Sequence, residues 1–163
     1  MNAGAAGPLA AIEATPLAVA MRHELWLYPI VEIVHISGFV VLVGSIATLD
    51  LRLLGLSRAI PVTRLVRHTL PWAFGALALV VPSGLLMFTA HASDLIANPA
   101  FAVKMALLLC AGTNAALFHA GVYRGVEAWD RDLAPPLAAR AHAAASLALW
   151  LGVIACGRLL AYL

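Results

Sequence analysis

Four long apolar stretches fix what this chain can become. They run from about Trp26 to Thr48, Pro71 to Ala90, Phe101 to Tyr123 and Ala141 to Tyr162. A bilayer's hydrocarbon core is about 30 Å thick and takes about 20 helical residues to cross. No water reaches backbone groups there, so a spanning segment is a helix or part of a closed barrel. No alternating apolar and polar pattern supports a barrel. The expected fold is all-α: a four-helix transmembrane bundle with a short N-terminal interfacial helix and a basic cytoplasmic connection. Composition agrees. Of 163 residues, 63% are hydrophobic and 11% charged, against about 45–50% and about 25% in soluble domains. A soluble enzyme and a nucleic-acid binder are excluded, and so is a disordered chain. The lipid bilayer is the first partner.

Two regions are expected. Residues 1–25 form an N-terminal segment, and residues 26–163 form the membrane domain. The first twenty residues lack a basic leader, Glu13 interrupts their apolar run, and Pro8 and Pro16 break it. They do not read as a signal peptide, so the segment is expected to be retained. Thr15-Pro16 reads as a helix cap followed by proline at the first helical position. The helix it opens, from Pro16 to Leu27, carries Arg22, His23 and Glu24 and suits the membrane surface. Trp26 and Tyr28 read as interfacial anchors.

The net charge of +2 matters less than its distribution. Four spans put the first and third connections on one side. Those connections hold Arg52, Arg58, Arg64, Arg67, Arg124, Arg131 and Arg140, most of the 10 basic residues. The positive-inside rule makes that side cytoplasmic. Both termini are then expected in the periplasm, in a bacterial inner membrane. A basic surface helix is expected after Pro61, ahead of the second span. Pro135-Pro136 is expected to open the fourth helix.

An ionisable group inside the membrane costs roughly 2.5–3.5 kcal/mol on insertion scales, so a functional role is its default reading. Glu32, His35, Lys104 and Arg158 qualify. His35 falls roughly 5 Å from the midplane and the other three roughly 9–12 Å, all on the periplasmic half. They have balanced charge and comparable depth, so one network is expected. Glu32 precedes His35 by one turn and is a candidate to orient its imidazole. On the opposite half His119 falls roughly 10 Å and His142 roughly 15 Å below the midplane. Asp50 and Arg52 lie near that boundary. Asn114 and the Pro82-Ser83-Gly84 break lie near the middle, where the proline frees a backbone carbonyl. The bland readings are snorkelling for Lys104 and Arg158, interfacial solvation for His142 and a packing kink for Pro82. Gly38, Gly44, Gly152 and Gly157 read as close-packing positions.

Histidines in a membrane four-helix bundle suit the axial positions of haem b, with the second ring nitrogen held by a neighbouring acceptor. His119 and His142 match best in depth. His35 is a further candidate ligand or a quinone contact. Glu32 is a candidate orienter and Asn114 a further candidate cofactor-binding residue, with Lys104 and Arg158 holding acidic groups. The leading expectation is therefore a haem b electron-transfer protein, with a quinone or a protein as redox partner. Covalent haem attachment is excluded because no Cys-x-x-Cys-His occurs. A second reading uses Glu32, His35, Lys104 and Arg158 as a proton, ion or copper transport site. Four spans are few for a transporter, so that reading expects a homo-oligomer. Cys110 and Cys156 supply soft donors in its copper version and otherwise read as small core residues. A third reading is an accessory or assembly subunit of a larger membrane complex.

Several stretches taken together are distinctive. They are Tyr28-Pro29-Ile30-Val31-Glu32-Ile33-Val34-His35, Asp50-Leu51-Arg52-Leu53-Leu54-Gly55, Pro71-Trp72, Lys104-Met105, Asn114, Phe118-His119, Leu149-Trp150 and Gly157-Arg158. Across Trp26 to Tyr162 the chain resembles an uncharacterised bacterial family of small four-span inner-membrane proteins, a domain of unknown function. The resemblance implies the four-span fold and adds no activity. A weaker architectural likeness to b-type cytochrome bundles and copper-resistance membrane proteins rests on buried histidines alone.

Overall fold

The computed structural model describes residues 7–162. The first six residues of the expected N-terminal segment, and residue 163, lie outside them. Seven α-helices follow in order: α1 (Pro8–Glu13), α2 (Pro16–His23), α3 (Leu27–Leu54), α4 (Val62–Ala90), α5 (Ala92–Ala97), α6 (Pro99–Ala120) and α7 (Leu137–Leu159). A 3-10 segment, Val122–Ala128, joins α6 to α7. No strand occurs among the described residues. Helices α3, α4, α6 and α7 are long and apolar enough to cross a membrane. Large side chains such as Ile33, Val40, Phe74, Leu109 and Leu151 point outward. Such a surface is stable against lipid and not against water. The chain is a multi-pass membrane protein.

Local signals set most of the helix ends. The Thr15 hydroxyl accepts from the Ala18 N–H at 3.3 Å, and Pro16 follows it. The Asn98 side chain accepts from the Ala100 N–H at 2.9 Å, and Pro99 opens α6. Helix α3 stops at Gly55, whose φ of 109° is open to glycine and strained for other residues. Pro136 caps α7, as the Pro135-Pro136 pair implies.

The surface helix expected after Pro61 is not a separate element. It runs without a break through Pro71 into the second span, as the 29-residue α4. The apolar run begins only at Pro71, so the sequence pattern divides what the backbone joins. Proline within a membrane helix is tolerated when neighbouring groups satisfy the freed carbonyl. The other helices also differ from the apolar runs by several residues, because polar end turns remain helical outside the hydrocarbon. The connection from His91 to Ala100 holds the short α5.

Helix α3 is the central element, packed on α4 along one face and on α7 along another, while α6 packs on α7. Gly38 permits the α3–α4 approach, since a Cβ there would lie 2.9 Å from Val80 Cγ2. Phe39 meets Trp150 edge-on, with ring centroids 5.9 Å apart, where α3 crosses α7. The largest apolar cluster lies at the arginine-rich end. There Leu49, Leu53, Val62, Val66, Phe118 and Trp129 pack together. At the opposite end α2 packs on α4 and α1 on α5. Arg22 joins them by donating to Ala90 O at 2.9 Å and to Glu13 O at 2.6 Å. The N-terminal segment is thus docked on the bundle rather than lying free beside it.

Candidate functional site

Polar side chains within the bundle gather at two levels. Nearer the terminal end, α3 carries His35 against the break in α4. His35 Nδ1 lies 3.1 Å from Val80 O and 3.0 Å from Ser83 Oγ. The Ser83 hydroxyl donates its single proton to Leu79 O at 2.6 Å, so towards His35 it accepts. Val80 O can only accept. Both contacts therefore require a proton on Nδ1, which leaves the Nε2 lone pair free. Gly84 makes room for the ring, because a Cβ there would stand 3.1 Å from His35 Cε1. Pro82 has no N–H to pair with Ala78 O, so the break and the histidine coincide.

The other expected members of this level separate. Lys104 on α6 is half-buried, and both it and Glu32 lie within electrostatic reach of His35. Glu32 is exposed and makes no hydrogen bond to His35. The expected orientation of His35 by Glu32 is therefore replaced by the α4 contacts. One turn along α3 is the right spacing, but His35 turns to α4 while Glu32 turns outward. Arg158 is also exposed and does not join the network. Its guanidinium lies 4.7 Å from the Tyr162 ring centroid and donates to the Tyr162 hydroxyl.

Towards the arginine-rich end the structure joins Asn114 and His142. Asn114 Nδ2 donates to His142 O at 3.0 Å. This turns Asn114 Oδ1 to His142 Nδ1, 2.8 Å away. The amide oxygen accepts, so Nδ1 again carries the proton and Nε2 is again free. His119 does not bond to either. Its ring packs edge-on against Phe118 and Tyr123, each with centroids 5.2 Å away. Phe118 also touches the His142 ring, at 5.9 Å, so an apolar ring fills the space beside both imidazoles.

Asp50 is the group that the sequence reading undervalued. It is 5% exposed on α3, and its Oδ2 is buried with no hydrogen-bond partner. Ser146 on α7, itself buried, faces the carboxyl. Ser146 lies one turn after His142, on the same face of α7. A carboxyl, a hydroxyl, an imidazole and an amide thus line one side of the bundle interior. Asp50 and His35 are about 22 Å apart along α3. Leu42 and Val153, both buried, lie at intermediate positions on α3 and α7, with the Phe39–Trp150 contact beside them.

Arg52, expected in the first connection near the cytoplasmic boundary, is 2% exposed. Its Nε donates to Ile60 O at 2.7 Å, and its Nη2 to Arg58 O at 3.1 Å and Asp130 O at 3.0 Å. Asp130 in turn accepts from the Thr63 N–H at 2.7 Å and the Thr63 hydroxyl at 3.0 Å, closing the start of α4. This clamp ties the two arginine-rich connections together. Its tertiary partners leave no mark in a hydropathy pattern.

No group of three or more His, Cys, Asp or Glu able to hold a metal ion occurs among the described residues. Cys110 is exposed and Cys156 buried. A family described as one of unknown function, DUF6644, has a model that matches residues 27–163. No curated protein and no solved structure matches the chain.

Proposed function

The chain belongs to the DUF6644 family, whose function is unknown, and we propose that it is a component of a proton- or cation-coupled transport system in a bacterial inner membrane. The observation that carries this reading is Asp50, a carboxyl buried within a membrane bundle with one oxygen unpartnered. Asp50 lies near the arginine-rich boundary of the bundle, where a buried carboxyl without a partner is costly to keep and fits the mouth of an ion or proton path. Ser146, His142 and Asn114 extend the polar lining from Asp50. His35 and Lys104 form the half-site nearer the termini. The apolar layer at Leu42 and Val153 separates the two, which is how a gated path keeps its sides apart. The positive-inside rule makes the Asp50 side cytoplasmic and the termini periplasmic. A bundle of four spans fits a homo-oligomer or a subunit of a larger complex better than a transporter working alone.

The test is dissipation of an imposed pH gradient in proteoliposomes. The protein should collapse the gradient faster than empty vesicles do, and Asp50→Asn should return the rate to background. A rate equal to that of empty vesicles, or one unchanged in Asp50→Asn, overturns the reading.

One observation favours the haem b reading as a second possibility. His35 and His142 both hold Nδ1–H against an acceptor and keep Nε2 free, the arrangement of a ligating imidazole. The donor chemistry therefore fits. His142 with His119, or His35, would hold the iron, and Lys104 would meet an acidic group. Bound haem would supply a one-electron couple to a quinone or protein partner. Phe118 packs against both His119 and His142 and would have to give way for them to share an iron. An absorption spectrum of the purified protein, oxidised and then reduced, separates the readings. A b-type reduced band that His142→Ala removes supports haem, and a colourless folded protein rejects it.

A further inference from the structure

The outer face of α3 and α4 carries a groove that the transport reading leaves unused. Two adjoining concavities of about 360 and 550 Å³ share Val41 and Trp72 in their walls. Small residues form the floor, among them Gly38, Gly44, Ser45 and Gly75. A Cβ at Gly44 or Gly75 would meet no atom within 4 Å, so the space there is open. The groove is polar at one end, with His68, Thr48 and Thr69, and apolar at the other, with Gly38 and Leu79. From His68 to Leu79 it runs about 16 Å along α4, roughly half of the 30 Å hydrocarbon core and so one leaflet deep.

Charge specifies the occupant. Arg64 precedes His68 by one turn on α4, and Arg67 follows Arg64 by one turn. Both arginines are exposed, and neither forms an ion pair among the described residues. Two unpaired cations thus stand on the exposed turn of α4 next to the polar end of an apolar groove one leaflet long. The geometry points to a binding site for an anionic phospholipid of the arginine-rich leaflet. One acyl chain lies along Trp72 and Gly75, and the phosphate sits on Arg64 and Arg67 beside His68. A neutral phospholipid matches the tail and lacks the charge. A second copy of the chain would bring like charges to the same mouth.

Native mass spectrometry of the detergent-purified protein tests this, with added phosphatidylglycerol or phosphatidylcholine as probe. Phosphatidylglycerol should remain bound in preference to phosphatidylcholine. Each arginine replaced, in Arg64→Gln and Arg64→Gln/Arg67→Gln, should weaken that preference about fivefold. A Cβ at Gly44 or Gly75 meets open space, so Gly44→Leu/Gly75→Leu should fill the groove and remove both lipids. The arginine variants lie on the surface and keep the test valid if the leucine variant folds poorly. Equal retention of the two lipids overturns the proposal. So does phosphatidylglycerol retained in the folded leucine variant, or a lipid-free dimer that this variant splits.

Discussion

His35 shows how much a single membrane residue depends on its neighbours. Its ring is held by Val80 O and Ser83 Oγ and pressed against the Gly84 backbone. Gly84→Ala should therefore push the ring aside and cost about 1–3 kcal/mol, read by unfolding in detergent, with a shifted His35 ring resonance in NMR spectra. An unshifted resonance would mean that the ring is not seated there. Arg52→Ala should cost about 3 kcal/mol or more, since charge-assisted hydrogen bonds to three carbonyls are lost together. Arg52→Lys should rescue little of that, because an ammonium cannot reproduce the guanidinium fork. His35, His142 and Asn114 were legible in the sequence because polar groups stand out in apolar runs. Their partners were not. Ser83, Ser146 and the Val80 carbonyl become visible only when the rotation of each helix about its axis is known, and depth arithmetic does not supply that. The same gap explains Glu32 and Arg158, which have suitable depth and face outward.

The helices themselves follow from apolar length, and the caps at Thr15, Asn98 and Gly55 follow from local chemistry. The exception is α4, where hydropathy starts a span at Pro71 and the backbone starts it at Val62. The start after Pro61 is legible in the sequence and the continuity through Pro71 is not; Asp130 adds to that start a cap from a distant connection, which neighbouring residues do not announce. The packing of α1 on α5 is another tertiary feature. Glu13 accepts from the Ser93 N–H at 2.7 Å, and that bond holds its carboxyl below the ordinary value of 4.5. A carboxyl lowered by folding stabilises the folded form above its unfolded value, and the contribution is lost as pH falls through the folded one. Amide exchange at Ser93, corrected for its intrinsic rate, should accelerate below about pH 4.5. Glu13→Gln should produce part of that acceleration at neutral pH. Exchange that is unchanged in both cases would show that the contact does not hold α1 in place.

At the scale of the whole molecule, the bundle holds one group of polar side chains in each half, with apolar residues between them. Asp50, Ser146, His142 and Asn114 occupy the arginine-rich half, and His35 with Lys104 the other. Proton-coupled transport through this bundle, as proposed, requires Asp50 to gain and lose a proton in the folded state. Infrared difference spectroscopy of the membrane-reconstituted protein, titrated with acid and base, observes that carboxyl directly. A carboxylic C=O band should appear and disappear reversibly with pH in the wild-type protein and be missing in Asp50→Asn. The same band in both proteins, or no titrating band in either, would contradict the proposal.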